Sequence, residues 1–275
     1  MEIAANIHSL PGGRGDILGL RHANVYVVVD GEAALIDAGY EDDHEVESKL
    51  EYLREIGVSK LSYIIVTHRH YDHAGGAAKI KMATGARIVA HSQETLAESL
   101  ASTSFAVDRA VEDGNVLEVG GLELEMIHTP GHAPGHICIY ITKRGVLFSG
   151  DHVLGLGTTA IMPQEGSMAQ YIDSLRKLLA YDMQMICPGH GPLIGAPRRK
   201  IQELVQHRLE REEQVLRFLK QGLRAVDELV REIYPELDEH LRAMAQGQVT
   251  SHLIKLEQEG KVAPSGRGGQ YSLPG

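Results

Sequence analysis

Apolar and polar positions follow two periods along most of the chain. Asn24–Val29 and Ala33–Asp37 read as short strands joined at Asp30-Gly31, a hairpin-type pair. Glu45–Ile56 places Val46, Leu50, Leu53 and Ile56 at helical spacing, and Gly57 stands at the C′ position. Leu61–Thr67 is a run of the buried-strand type, Gly75–Thr84 predicts a helix ended by Gly85, and Arg87–Ala90 is the next strand. Gln93–Ala101 predicts a further helix. The theme then repeats: Val116–Val119, Leu122–His128, Ile137–Thr142 and Val146–Ser149 read as strands, and Met168–Leu179 as a helix with Ile172, Leu175, Leu178 and Leu179 on one face. Met185–Cys187 is a short strand entering Pro188-Gly189-His190-Gly191-Pro192. Two similar halves of alternating strand and helix imply a layered α/β fold with helices outside a sheet core.

The pattern changes near Gly195–Arg199. Ile201–Lys220 is a long charged amphipathic helix carrying Leu204, Leu209, Val215, Leu216 and Leu219. Val226–Ile233 and Glu236–Met244 predict two helices around Tyr234-Pro235, and Val249–Gln258 a fourth. Three short helices followed by a strand-turn-strand (Val262–Ala263, Gly266–Gly269, Gln270–Ser272) fit a small winged-helix-like unit; a purely helical packing appendage is the alternative. The expected domains are therefore 1–197 and 198–275.

Composition narrows the class. The chain has 275 residues, 43% hydrophobic and 23% charged, which excludes long disorder. No apolar run approaches the roughly 20 residues of a membrane span. Met1–Leu10 lacks a signal-peptide pattern, and two cysteines, Cys138 and Cys187, make no disulfide framework. A cytoplasmic protein with buried thiols and no membrane partner is the expectation. The net charge of −10 arises before residue 198, the tail being near neutral, so a uniformly basic nucleic-acid surface is excluded. Histidine is abundant, 15 against 3 Phe and no Trp, and it is clustered.

The cluster is Thr67-His68-Arg69-His70-Tyr71-Asp72-His73-Ala74-Gly75-Gly76, after an apolar strand and before a helix. Four metal-ligand types fall within six residues: His68, His70, Asp72 and His73. Imidazole with carboxylate suits zinc, and also manganese or iron. In extended chain His68 and His70 project to one side, leaving Asp72 and His73 for a second cation. Further ligand types follow three strands: His132 and His136 in Thr129–His136, Asp151 and His152 after Val146–Phe148, and His190 after Met185–Ile186. Loops past strand ends are where α/β sites gather.

This set, T-H-x-H-x-D-H, G-H, G-D and G-H in order, resembles the metallo-β-lactamase superfamily over residues 1–195. Gly150–Gly155, Gly166-Ser167-Met168, Cys187–Pro192, Ile233-Tyr234-Pro235 and Ser251-His252-Leu253 look closest to its β-lactamase-like protein 2 group. The resemblance implies an αββα sandwich with a C-terminal winged helix and two divalent cations, zinc first. His68, His70 and His132 would hold one cation, and Asp72, His73 and His190 the other. Asp151 would bridge them, with a hydroxide between the metals as nucleophile. Asp72 and Asp151 are then the catalytic carboxylates, Asp72 orienting the attack.

Asp37 is either a partner of a ligand imidazole or a strand-end turn residue. His136 stands behind the ligands or in the substrate wall. His152 is read as a non-ligand and His91 as a core histidine; His8, His22, His44, His128, His207, His240 and His252 are not ligands. Fold does not fix substrate. The group resemblance and the winged unit, with Val249–Gln258 where a recognition helix belongs, imply phosphodiester hydrolysis of single-stranded RNA. The alternative is ester or thioester hydrolysis of the glyoxalase II type, which Thr129-Pro130-Gly131-His132 matches; it lacks a clear basic cluster for glutathione carboxylates, to which Arg198, Arg199 and Lys200 would contribute. β-Lactam opening would be incidental, because Asp151 stands where dedicated zinc lactamases carry Cys. A winged unit serving only as lid or homodimer contact is the structural counterpart. Seven filled ligand positions argue against a non-catalytic module.

Overall fold

The structure, a computed structural model, describes residues 1–10, 22–94, 106–222, 224–265 and 269–274. Seven strands form the first sheet: β1 (Glu2–Ala4), β2 (Ile7–Leu10), β3 (Val25–Asp30), β4 (Glu32–Ile36), β5 (Leu61–Ile65), β6 (Arg87–His91) and β7 (Arg109–Val111). They lie in chain order, antiparallel from β1 to β4 and parallel from β4 to β7. The β3–β4 hairpin turns at Gly31, with Asp30 opposite Glu32.

Helix α1 (Asp43–Glu55) begins two residues before its expected start because Asp42 caps it, accepting from the backbone N–H of His44 (3.0 Å) and Glu45 (3.2 Å). The helix expected over 75–84 is α3 (Ala77–Thr84), and a separate single turn, α2 (Tyr71–Ala74), precedes it. The break falls where the Gly76 N–H bonds to the Gly39 carbonyl (2.8 Å) and the Ala38 N–H to the His73 carbonyl (2.7 Å). The helix expected over 93–101 starts as a 3-10 turn, Ser92–Glu94; the rest lies outside the described residues.

The second sheet holds β8 (Val116–Val119), β9 (Leu122–His128), β10 (Ile137–Ile141), β11 (Val146–Gly150) and β12 (Met185–Pro188), in the order β12-β11-β10-β9-β8. Only β11 and β12 run parallel. The two sheets bury one core between them, with Tyr26, Val28, Ile36 and Ile65 from the first and Leu124, Met126, Ile139 and Phe148 from the second. The opposite pleat of the first sheet, Val27, Leu35, Ile64 and Ile88, packs on Val46 and Leu53 of α1 and Ile80 of α3. Alternation of this kind sends successive side chains into two cores, each fully buried aliphatic contributing roughly 1.5–3 kcal/mol. The expected layered α/β class is the observed one.

The chain divides into two compact units. Met1–Thr129, Ala133–Thr158 and Tyr181–Arg198 make the first; Pro130–His132, Thr159–Ala180 and Arg199–Gly275 make the second. The second unit contains α4 (Met168–Leu178), most of α5 (Pro197–Lys220), α6 (Val226–Ile233), α7 (Arg242–Gln258) and the pair β13 (Ala263–Pro264) and β14 (Tyr271–Ser272). Val215, Leu219, Leu229, Val230, Val249, Leu253 and Leu256 form its apolar centre.

One expectation in this unit is corrected. Glu236–Met244 is not a helix of its own: Glu239–Leu241 is a 3-10 turn, and α7 starts at Arg242. That helix runs unbroken through Gly247, where the Met162 side chain packs in the place a Cβ would take. Much of α7 is enclosed by its own unit. Val249, Ser251, His252, Leu253, Lys255 and Leu256 are all buried, and Lys255 donates to Glu212 (2.9 Å).

Candidate metal centre

Parallel pairing puts the ends of β4 and β5 side by side, so Asp37 and Thr67 follow adjacent strands. Asp37 takes a left-handed φ of +59° and points its carboxylate at the β5 end. One oxygen accepts from the Thr67 N–H (2.8 Å); the other accepts from the Thr67 hydroxyl (3.0 Å) and from His73 Nδ1 (2.7 Å). With its hydroxyl hydrogen given to Asp37, Thr67 accepts from His68 Nδ1 (3.0 Å). One carboxylate thus fixes the tautomer of two imidazoles and leaves each Nε2 with a lone pair for a cation. Asp37 thus fits both of its expected roles, as partner of a candidate ligand imidazole and as a strand-end turn residue.

The parallel ends of β11 and β12 likewise bring Asp151 and His190 to one place. Two glycines allow it. Gly150 has φ +47°, and a Cβ there would lie 2.7 Å from His136 Nε2 and 2.8 Å from Thr67 Oγ1. At Gly189 a Cβ would lie 2.5 Å from Asp151 Oδ1. Side chains larger than hydrogen would push the ligand loops apart.

Six of the seven candidate ligands lie in the first unit. His68 Nε2 and His70 Nδ1 approach to 3.0 Å. His73 Nε2 stands 3.3 Å from His190 Nε2 and 3.3 Å from Asp151 Oδ1, and Asp72 Oδ2 lies 3.0 Å from His190 Nε2. His68, His73 and Asp151 form one group able to hold a metal ion, and Asp72, His73 and His190 another. Lone-pair nitrogens facing each other and two carboxylates are a donor set for a hard or borderline divalent cation. The carboxylates around these imidazoles favour positive charge at this place, whether from protons or from a cation. Burial opposes charge on His73, yet Asp151 and Asp37 hold its pKa well above the usual imidazole range. Burial works against the Asp72 carboxylate, but His190 and His73 keep its pKa below the usual value. The seventh candidate, His132, falls in the second unit, buried, its Nδ1 3.0 Å or closer to a backbone oxygen: the Ala160 carbonyl at 2.8 Å.

The remaining histidines take other places. His136 is buried behind the ligands: its Nε2 accepts from the Asp151 N–H (3.1 Å) and its Nδ1 meets Thr129 Oγ1 (2.9 Å). It shapes the turn that carries Asp151. His152 is buried with its ring 5.8 Å from that of His136. His91 stacks on His128 at 3.9 Å. Cys138 and Cys187 are buried thiols, and burial pushes the Cys187 pKa up.

Sequence reading missed Glu94. Its buried carboxylate accepts from the Arg69 N–H (3.0 Å), between His68 and His70, and from the Gly135 N–H (2.9 Å), beside His136. Burial raises its pKa, against the pull of the Arg69 guanidinium and both N–H groups. A lone Glu after a strand carries no pattern; only its contacts identify it.

Outside the donor set, an open pocket is lined by His22, Tyr40, Glu41, Asp42, Asp43, Glu45, Tyr71 and Lys79. Four carboxylates face one ammonium there, and Tyr71 is the residue before Asp72. No helix among the described residues is long and apolar enough to cross a membrane.

Comparison with known proteins agrees with the geometry. Residues 18–190 match the metallo-beta-lactamase superfamily, and residues 225–270 match the beta-lactamase associated winged helix domain. The chain is 30% identical to a "Beta-lactamase-like protein 2 homolog" of Drosophila melanogaster, over 96% of this chain and 92% of that one. It is also 30% identical to the "Atrochrysone carboxyl ACP thioesterase" of Emericella nidulans, over 90% of this chain and 78% of that relative. Among solved structures, a metallo-beta-lactamase family protein of Thermus thermophilus covers 99% of the chain with 100% of its own at TM-score 0.82 and 24% identity. A beta-lactamase domain protein of Burkholderia ambifaria covers all of it with 93% of its own at TM-score 0.86 and 22% identity. With its two-sheet core, its ordered His/Asp loops and its C-terminal winged helix, the chain belongs to the metallo-β-lactamase superfamily.

Proposed function

We propose that the protein is a two-metal hydrolase acting on an uncharged ester or thioester, with His68, His70 and His132 holding one cation, Asp72, His73 and His190 the other, and Asp151 bridging. Zinc is the metal this donor set suits first. Such a cation pair would supply a water nucleophile of near-neutral pKa and polarise the attacked acyl oxygen. Within the chain, Asp37 keeps two imidazoles in their coordinating tautomer. Asp72, beside His190, would orient the attacking water. No Ser or Cys nucleophile enters this reading.

The observation that carries the substrate class is the acidic pocket at Glu41, Asp42, Asp43 and Glu45. A polyanion approaching there would be repelled, whereas a neutral acyl group would not. The thioesterase named among the relatives supports the same reading. Single-stranded RNA is the second reading, favoured by the winged-helix match over 225–270. The buried α7 counts against it, because a helix enclosed on its Val249–Leu256 stretch offers few groups to a nucleic acid.

A panel on purified, metal-analysed protein decides between them. It compares an acyl thioester of N-acetylcysteamine, S-lactoylglutathione, single-stranded RNA, bis(p-nitrophenyl) phosphate and nitrocefin, each with Asp151→Ala as control. Thioester turnover above the rest, lost with bound metal in the control, is expected. RNA cleavage above the rest would replace the acyl reading, and full activity in Asp151→Ala would remove the two-metal one.

A further inference from the structure

The segment Thr159–Ile161 joins a candidate ligand to the helices of the same unit. Its three carbonyls meet four side chains. The middle one, of Ala160, faces His132 Nδ1 at 2.8 Å. The outer two are held by α5 and α7. Arg208 Nη2 donates to the Thr159 carbonyl at 2.6 Å, and Gln248 Nε2 donates to the same oxygen at 3.2 Å. Ser251 Oγ donates to the Ile161 carbonyl at 2.7 Å. All three side chains are buried, Arg208 at 3% exposure, Ser251 at 3% and Gln248 at 9%. Arg208 also lays its guanidinium over the Tyr171 ring at 5.2 Å, and its Nη1 reaches Gln248 Oε1 at 3.5 Å.

We propose that Arg208, Gln248 and Ser251 are positioning residues for the metal-binding form of His132, acting through the Ala160 carbonyl. The inference rests on the reading of His132 as a ligand given above. A neutral imidazole coordinates through one nitrogen only if its proton sits on the other. An acceptor fixed in front of Nδ1 keeps the proton there and frees Nε2. The Ala160 carbonyl is such an acceptor only while its peptide is kept from rotating, and clamping the carbonyls on either side prevents that rotation. A buried guanidinium directed at a main-chain oxygen is costly to desolvate, and it is explained if that oxygen's position matters. In this account the C-terminal helices serve the centre by holding one of its ligands, and need touch no substrate to do so.

The experiment is a zinc titration in competition with a chromophoric chelator, on the full chain. It compares wild type, His132→Ala, Arg208→Met, Arg208→Lys and Ser251→Ala, with thermal unfolding of each metal-free protein alongside. Two zinc sites are expected in wild type, one weakened in His132→Ala. Arg208→Met and Ser251→Ala are expected to weaken that same site by about tenfold, the size usual for partners of metal ligands, and to spare the other. Arg208→Lys, which keeps a donor, is expected to fall between. Ser251→Ala removes a single oxygen, so it tests the clamp even where Arg208→Met fails to fold. The proposal is overturned if Ser251→Ala and a folded Arg208→Met bind zinc as wild type does while His132→Ala is impaired. It is also overturned if both sites weaken equally, which would indicate general loosening. Unchanged zinc binding in His132→Ala would instead remove the ligand reading, and this inference with it.

Discussion

Asp37 accepts from Thr67 and His73 at once, and its left-handed backbone is one that Asp tolerates better than most residues. Asp37→Asn keeps the shape and the φ but cannot accept from every partner. The expected result is a folded protein with a melting midpoint near wild type and metal affinity about 10- to 100-fold lower, read by chelator competition. Unchanged affinity would show that the imidazoles hold their tautomer without it. Gly150→Ala differs in kind, since its Cβ would strike the ring of His136 and the side chain of Thr67 while requiring φ +47°. It is expected to lose about 1–3 kcal/mol of stability together with metal binding, measurable by urea unfolding.

At the scale of elements, α5 and α7 are joined by a buried ion pair as well as by apolar packing. Lys255 donates to Glu212 at 2.9 Å, and His252 Nδ1 lies 3.5 Å from the same carboxylate. Burial disfavours the charge on Glu212, yet His252 and Lys255 hold its pKa below the usual value. Lys255→Met would leave a buried carboxylate without its main partner, at a cost of about 3 kcal/mol. The double variant Glu212→Leu with Lys255→Met is expected to recover most of that in urea unfolding; a double variant as unstable as the single one would contradict the account. His252 supplies a pH dependence. Burial first, then Arg208 and Arg211, lower its pKa from 6.5, with Glu212 opposing and His207 nearby. A folded pKa below the unfolded one means stability present above pH 6.5 and lost as pH falls toward the folded pKa. His252→Gln is therefore expected to flatten the fall of the melting midpoint between about pH 7 and 5. An unchanged slope would place the acid sensitivity elsewhere, His91 being another histidine whose pKa burial lowers.

For the whole molecule, a cation held at the proposed centre would couple to folding. A cation that binds the native donors alone stabilises by about 4 kcal/mol at a thousandfold excess over its dissociation constant. Chelation is expected to lower the thermal midpoint of wild type clearly and that of Asp151→Ala little, because the variant has less metal to lose. Equal shifts in both would mean that Asp151 is not a ligand. The acidic pocket acts at this scale too, and raising salt is expected to relieve any residual barrier to anionic esters while leaving neutral thioesters unaffected.

The sequence by itself determined which candidate donors lie together and in what order, because His68, His70, Asp72 and His73 are neighbours along the chain and Asp151 and His190 directly follow strands. It determined the strand–helix alternation as well, since pleat and helix periods are local properties; the short strands β1, β2 and β7 carry too few positions to show a period. Tertiary structure alone decided which groups orient the ligands. Glu94 reaches Arg69 and Gly135 across 25 and 41 residues, and Arg208 reaches Thr159 across 49. Contacts of that span depend on where the loops pass, and no local pattern encodes their path. The tertiary structure also decided the place of α7. Its polar residues Gln248, Ser251, His252 and Lys255 each face a carbonyl or a carboxylate inside the second unit. Polarity along a sequence records that a side chain needs partners, and only the fold decides whether those partners are water, a ligand or the protein itself.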